Sequence, residues 1–353
     1  MKRWQQSVTI GVVFAVLGLA SVWGTGAALA ADPAPATYSV TTSPVSLSVT
    51  AKPGQTTASE IRVQNSGSST QQFYLSLAKF SADGETGKAS IKERGAEDDY
   101  FNWVTFSPPS FTLVPNEWQT VKVTFAVPAN AAGGYYYAVR VLREADRGLK
   151  ASGGEQAYRG ANAILVLLDA DSPSNRRELQ VINFNANHWL LEFLPVSFTT
   201  RIRNTGNLHV APSGSIFIME GKKQLAEIAF NPTHGNVLPK SNRLFSNVWN
   251  DGFPNYLEKL VDGKEIKDKN GQIEQDLHWD FTQVPKLRFG HYTAHLVMTY
   301  DDGHRDVPVE AFVSFWVIPW RILALGILIF VFVPVGMFVT ARTGYKKIRP
   351  KKT

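Results

Sequence analysis

The sequence predicts an all-β chain: two immunoglobulin-like β-sandwich domains in tandem, then one C-terminal transmembrane helix. Three observations predict this. Short segments rich in Val, Ile, Thr, Tyr and Phe alternate apolar with polar residues, and turn residues punctuate them about every ten positions. Helical periodicity is absent from this region. From Phe312 to Val339 the chain is almost wholly apolar, and its uncharged part, Ile322 to Val339, is long enough to cross a bilayer core of about 30 Å.

The chain opens with Met1-Lys2-Arg3, an apolar run through Val22, and Ala28-Leu29-Ala30 before Ala31. A basic start, an apolar centre and an A-x-A site read as a secretory signal peptide over residues 1–30. A Pro/Ala linker follows at 31–37. The first sandwich is expected over 38–170. Lys52-Pro53-Gly54, Asn65-Ser66-Gly67 and Ser81-Ala82-Asp83-Gly84 mark its turns, and Val121, Val123, Phe125 and Val127 alternate cleanly. Ala145 to Gly160 reads as a long polar hairpin loop, and ANAILVLLDA as a nearly continuous apolar strand that closes the domain.

Residues 171–177 form the expected interdomain linker, and 178–317 the second sandwich. Arg201-Ile202-Arg203-Asn204-Thr205-Gly206 echoes Ile61-Arg62-Val63-Gln64-Asn65-Ser66-Gly67, which suggests two related sandwiches. Asn255 to Lys267 reads as a short helix or an irregular loop. Asp301-Asp302-Gly303-His304 reads as a hairpin turn. The transmembrane helix is expected over 318–340 and a basic cytoplasmic tail over 341–353. Trp316 and Trp320 stand where an aromatic belt would lie. Arg342, Lys346, Lys347, Arg349, Lys351 and Lys352 follow with no acidic residue among them, a positive-inside signal. The expected topology is thus single-pass in the cell membrane, the body extracytoplasmic and the C-terminus cytoplasmic. The short Ile318-Pro319 junction puts the second sandwich close to the membrane.

Composition narrows the function. No cysteine occurs, which excludes disulfides, zinc–thiolate sites, iron–sulfur clusters and cysteine nucleophiles. The pI of 9.3 misleads. Of 36 basic residues two lie at the N-terminus and seven from Arg321 onward, so 27 face all 30 acidic ones in a body near −3. No basic footprint for nucleic acid is left. His291 and His295 fall on one strand face about 13 Å apart, too far to share a metal. Asp268-Lys269-Asn270-Gly271 lacks the downstream carboxylate of a calcium loop. There is no G-x-S-x-G, no supported S-x-x-K and no phosphate-cradling glycine loop. Asp169, Asp171 and Glu178 near the junction, and Glu97-Asp98-Asp99, read as solvated charges. No pair of carboxylates stands out for glycoside hydrolysis. The expectation is a non-enzyme without cofactor or metal. Aromatics are the remaining candidates: Tyr135, Tyr136 and Tyr137 alternate faces along one strand, and Trp118 lies in the same domain. Exposed, such rings suit glycan or protein contact.

YSVTTSPVSLSVTAKPGQTTASEIRVQNSG, FSPPSFTLVPNEWQTVKVTFAVP and AGGYYYAVRV resemble the N-terminal domain of the WxL-interacting proteins, a family of bacterial surface proteins. The matching features are the Pro53-Gly54 turn, the Leu113-Val114-Pro115 turn and Gly133-Gly134. RNTGN, VLPKSNR and FGHYTAHL are similar in layout to that family's second immunoglobulin-like domain, and the anchor and basic tail fit as well. The resemblance implies peptidoglycan binding by the first domain and partner or host-protein binding by the second. No motif carries that binding, so no site residue is transferred. Phe106 to Phe125 is also similar to the first domain of periplasmic pilus chaperones, but those are soluble, and the anchor here argues against that reading. The resulting expectation is a membrane-anchored surface protein that binds cell-wall polymer or another surface or secreted protein. The alternative is a membrane-tethered chaperone or assembly factor for exported proteins.

Overall fold

A computed structural model describes residues 39–147, 163–261, 264–267, 269 and 273–348. The expected signal peptide, the 31–37 linker, most of the 145–160 loop, most of the Asp268–Gly271 turn and residues 349–353 of the tail lie outside them.

The first sandwich holds β1 (Val40–Ser43), β2 (Ser46–Ala51), β3 (Thr56–Asn65), β4 (Gln71–Ala82), β5 (Ala89–Lys92), β6 (Val104–Ser107), β7 (Ser110–Leu113), β8 (Trp118–Ala126), β9 (Gly133–Arg143) and β10 (Ala163–Ala170). One sheet runs β1-β3-β8-β6; the other runs β2-β10-β9-β4-β5, with β7 also on β4. The period-2 alternation sends Ile61 and Val63, Val121, Val123 and Phe125, Val139 and Val141, and Val166 and Leu168 into one fully buried core.

The second sandwich holds β11 (Leu179–Ala186), β12 (Leu190–Leu191), β13 (Val196–Asn204), β14 (Ser213–Glu220), β15 (Lys223–Phe230), β16 (Asn242–Trp249), β17 (Asn255–Glu258), β18 (Leu260–Val261), β19 (Lys264–Glu265), β20 (Gln275–His278), β21 (Gly290–Asp301) and β22 (Asp306–Val317). Its sheets run β11-β13-β16 and β12-β22-β21-β14-β15. Two small ribbons, β17-β20 and β18-β19, stand beside them. The helix or loop expected over Asn255–Lys267 is therefore corrected to short strands. Tyr256 and Leu257 pair with Leu277 and Asp276, some twenty residues on, a register that local periodicity does not encode.

The sequence echo is a structural repeat. Asn65 and Asn204 are both buried at the ends of β3 and β13. The amide of Asn65 donates to the carbonyls of Ser69 (2.8 Å) and Leu113 (3.0 Å), and its oxygen accepts from Gly67 N–H (3.0 Å). Asn204 donates to Leu208 (2.7 Å) and Val237 (2.8 Å) and accepts from Gly206 N–H (2.9 Å). The main-chain carbonyls of Asn65 and Asn204 accept from Asn116 and Lys240, which sit at φ 66° and 58° one residue after Pro115 and Pro239. Pro, then a left-handed residue, is the requirement of a type II turn.

One α-helix, α1 (Trp320–Ile348), follows β22 after Ile318-Pro319. The carbonyl of Pro319 accepts from Leu323 N–H (3.0 Å) at its start. An 18-residue window within Trp320–Arg342 has mean hydropathy 2.9 and is not covered by the body, so by length and composition this stretch could cross a membrane.

Candidate functional site: an open strand edge

The last strands of the two sandwiches differ in one respect. In the first, the opening strand leaves β3 after Ser43 and crosses to the other sheet. There β2 lies parallel to β10 along the whole of Leu165–Ala170. Val166, Leu168 and Ala170 are fully buried as a result. In the second, the opening strand stays with β13 until Ala186, and β12 meets only Trp316 and Val317 of β22. From Asp306 to Phe315 the outer edge of β22 has no strand partner among the described residues.

The register assigns the groups on that edge. Trp316 and Ile318 donate to the carbonyls of Trp189 and Leu191, both at 2.8 Å, so even-numbered residues of β22 direct their main-chain groups outward. Glu310, Phe312 and Ser314 thus offer N–H groups to the edge. Pro308 has none, which limits pairing at the far end. The odd residues face the core. Val307, Val309, Ala311 and Val313 pack against it, yet all four are only part-buried, across a seam that β11 of the facing sheet only partly closes. The corresponding free edge in the first sandwich, on β3, presents Thr57 and Ser59 instead. Completing the burial of three valines and an alanine by an added strand is worth on the order of 1–2 kcal/mol, and each main-chain hydrogen bond about 1 kcal/mol more. On the outer face Glu310 meets His295 at 2.8 Å, and the Phe312 ring stacks on His295 at 4.1 Å. The His291 ring meets Trp316 at 4.9 Å in a tilted arrangement. Among the described residues no group of three His, Asp or Glu could hold a metal ion.

The aromatic candidates of the first sandwich lie elsewhere. Tyr137 is fully buried and its hydroxyl donates to the carbonyl of Tyr100 at 3.0 Å. Tyr135 is half-buried among Tyr100 and Trp103. Tyr136 does face away from that core, but the second sandwich covers it: its ring meets His209 at 5.9 Å and packs near Leu238. Burial pushes the Tyr136 and Tyr137 hydroxyls well above the usual tyrosine range. Trp118 is 39% exposed, with the Arg62 guanidinium 4.8 Å above its ring.

The junction between sandwiches is built, not solvated. Asp169 is buried, 3.2 Å from His209 Nδ1 and 3.4 Å from Arg177. This corrects its expected exposure, while Asp171 and Glu178 are exposed as expected. Glu85 pairs with Arg201 and accepts from Asn242 at 3.0 Å, and the hydrogen bond to Arg201 holds its carboxyl below the usual range. Arg243 lies between Gly87 and Gly235, donates to the carbonyl of Asn236 at 2.7 Å and lines a cleft of ≈ 230 Å³. Sequence reasoning missed this junction and the β22 edge, because both arise from where strands cross between sheets.

No family model and no curated protein matches the chain. Among solved structures it is similar to the class 5 fimbriae chaperone CfaA, at 12% identity and TM-score 0.36, over 78% of this chain and 98% of that one. It is also similar to the CsuC–CsuE chaperone–tip pre-assembly complex of Acinetobacter baumannii, at 13% identity and TM-score 0.34, over 78% and 98%. The CupB2 chaperone of Pseudomonas aeruginosa matches at 7% identity and TM-score 0.32, over 78% and 100%. At such identities and TM-scores the likeness says nothing of what this chain binds.

Proposed function

We propose that this chain is a single-pass, C-terminally anchored extracytoplasmic protein that holds an extended segment of another exported or surface protein on the open β22 edge. It is a membrane-tethered chaperone or assembly factor without catalytic chemistry. The observation that carries this reading is the contrast between β10, sealed by β2, and β22, left open beside a part-buried apolar row. Strand addition fits such an edge, since main-chain bonds supply affinity and alternate side chains supply selectivity. The basic residues after the apolar helix support a cytoplasmic C-terminus.

The resemblance to the WxL-interacting proteins implies the same anchored layout, with a wall polymer or a surface protein as ligand. The open edge favours the protein. A glycan platform on the first sandwich would rest on Trp118, because Tyr137 lies in the core and Tyr136 under the second sandwich.

Photocrosslinking in cells tests the reading. A benzophenone side chain replaces Phe312 on β22 or, as control, exposed Glu227 on β15. Adducts with an exported protein are expected from position 312 alone. Ser314→Pro, which removes an outward N–H while leaving the β21 pairing intact, should abolish them. Equal adducts from both positions, or adducts that survive Ser314→Pro, contradict strand addition.

A further inference from the structure

The end of the second sandwich from which α1 departs carries an unusual set of exposed rings. Trp189 is 73% exposed, Phe281 72%, Phe289 57% and Trp320 57%. Trp279 and Trp316 join them. The strand register places all six at one end. Trp189 accepts the Trp316 N–H, and Gly290, next to Phe289, pairs with Val317. Phe253 bridges to Leu287 and contacts Phe281 at 5.7 Å, and Phe281 stacks on Trp279 at 6.1 Å. Trp320 opens the helix itself.

We infer that these rings form a collar that sits in the bilayer interface around the base of α1, a second membrane contact made by the β-sandwich itself. The inference rests on the membrane-anchored reading above and deepens it. Three features select lipid as the occupant. The collar is continuous with the apolar helix, only Ile318-Pro319 separating β22 from it. Its residues are Trp and Phe, the amphipathic and apolar rings that partition to the headgroup boundary. The nearby charges largely neutralise one another: Asp251 pairs with Lys286 and Arg288, and Glu192 with Arg321. Attachment through the collar is therefore by the rings and does not need anionic lipid.

The cysteine-free sequence makes the test clean. Full-length variants Phe281→Cys, Phe289→Cys, Phe330→Cys and Lys92→Cys carry a bimane label in phosphatidylcholine vesicles doped with acyl-chain-brominated lipid. Phe330 lies in α1 and Lys92 on β5 of the first sandwich. Labels at 281, 289 and 330 are expected to lose about half or more of their emission, as groups at or below the headgroup level do. The label at 92 should lose none. Quenching at 330, with 281 and 289 behaving like 92, overturns the collar and leaves the anchor standing. No quenching at 330 overturns the anchor and the collar with it.

Discussion

Asn65 and Asn204 show how much one buried side chain can organise. Each satisfies two main-chain carbonyls and one N–H at the end of a core strand. Asn204→Ala would strand those groups without water, at about 2–3 kcal/mol. Asn65→Ala should cost a similar amount, and thermal unfolding of either variant checks it. Asp98 gives a pH-dependent case. The hydrogen bond from Lys79 at 2.8 Å, with that from Gly95, holds its carboxyl below the usual range despite burial. A lowered folded-state value adds stability that is complete above the unfolded carboxyl value of about 4. That stability is lost as pH falls through the folded value. Asp98→Asn should therefore be less stable than the parent at pH 7, with the gap closing below about pH 4; acid titration of unfolding tests this. Glu97-Asp98-Asp99 reads as a solvated loop because three acids in a row look like surface. The partner that buries Asp98 lies nineteen residues upstream, where no local pattern announces it.

Strands were more legible than their neighbours. Alternation at Val121, Val123 and Phe125 reports a one-sided strand, and the xRxxNxG echo reports a true repeat. The apolar run of β10 was also legible, but not its cause. One face fills the core, and Leu167 on the other belongs to the apolar cluster shared with Leu238 of the second sandwich. The same covering leaves Tyr136 only partly exposed, so counting alternate faces overstates exposure whenever another domain packs on the outer one. The open edge of β22 was illegible because it depends on how late the opening strand changes sheets. Ser314→Pro should leave the melting temperature within a few degrees of the parent, since its N–H points away from β21, as a proline on an edge strand allows. A large loss of stability would mean that this edge is paired.

At the scale of the whole molecule the two sandwiches are held by polar contacts, Glu85 with Arg201 and Asn242, and Asp169 with Arg177, beside the Leu238 cluster. Arg243, wedged between Gly87 and Gly235, locks the first sandwich's β4–β5 hairpin to the second. Arg243→Ala should uncouple them, so that calorimetry resolves two unfolding transitions where the parent shows more cooperative melting. If the collar sits in the bilayer interface, the β22 edge of the second sandwich is held close to the membrane surface. The central claim is that this edge takes up a strand. Amide hydrogen exchange of the full-length chain, alone and bound to the partner that crosslinks at position 312, tests it most directly. Glu310, Phe312 and Ser314 are expected to gain protection together, while Val309, Ala311 and Val313, already bonded to β21, stay unchanged. Protection confined to other surfaces, with those three amides unaltered, would contradict it.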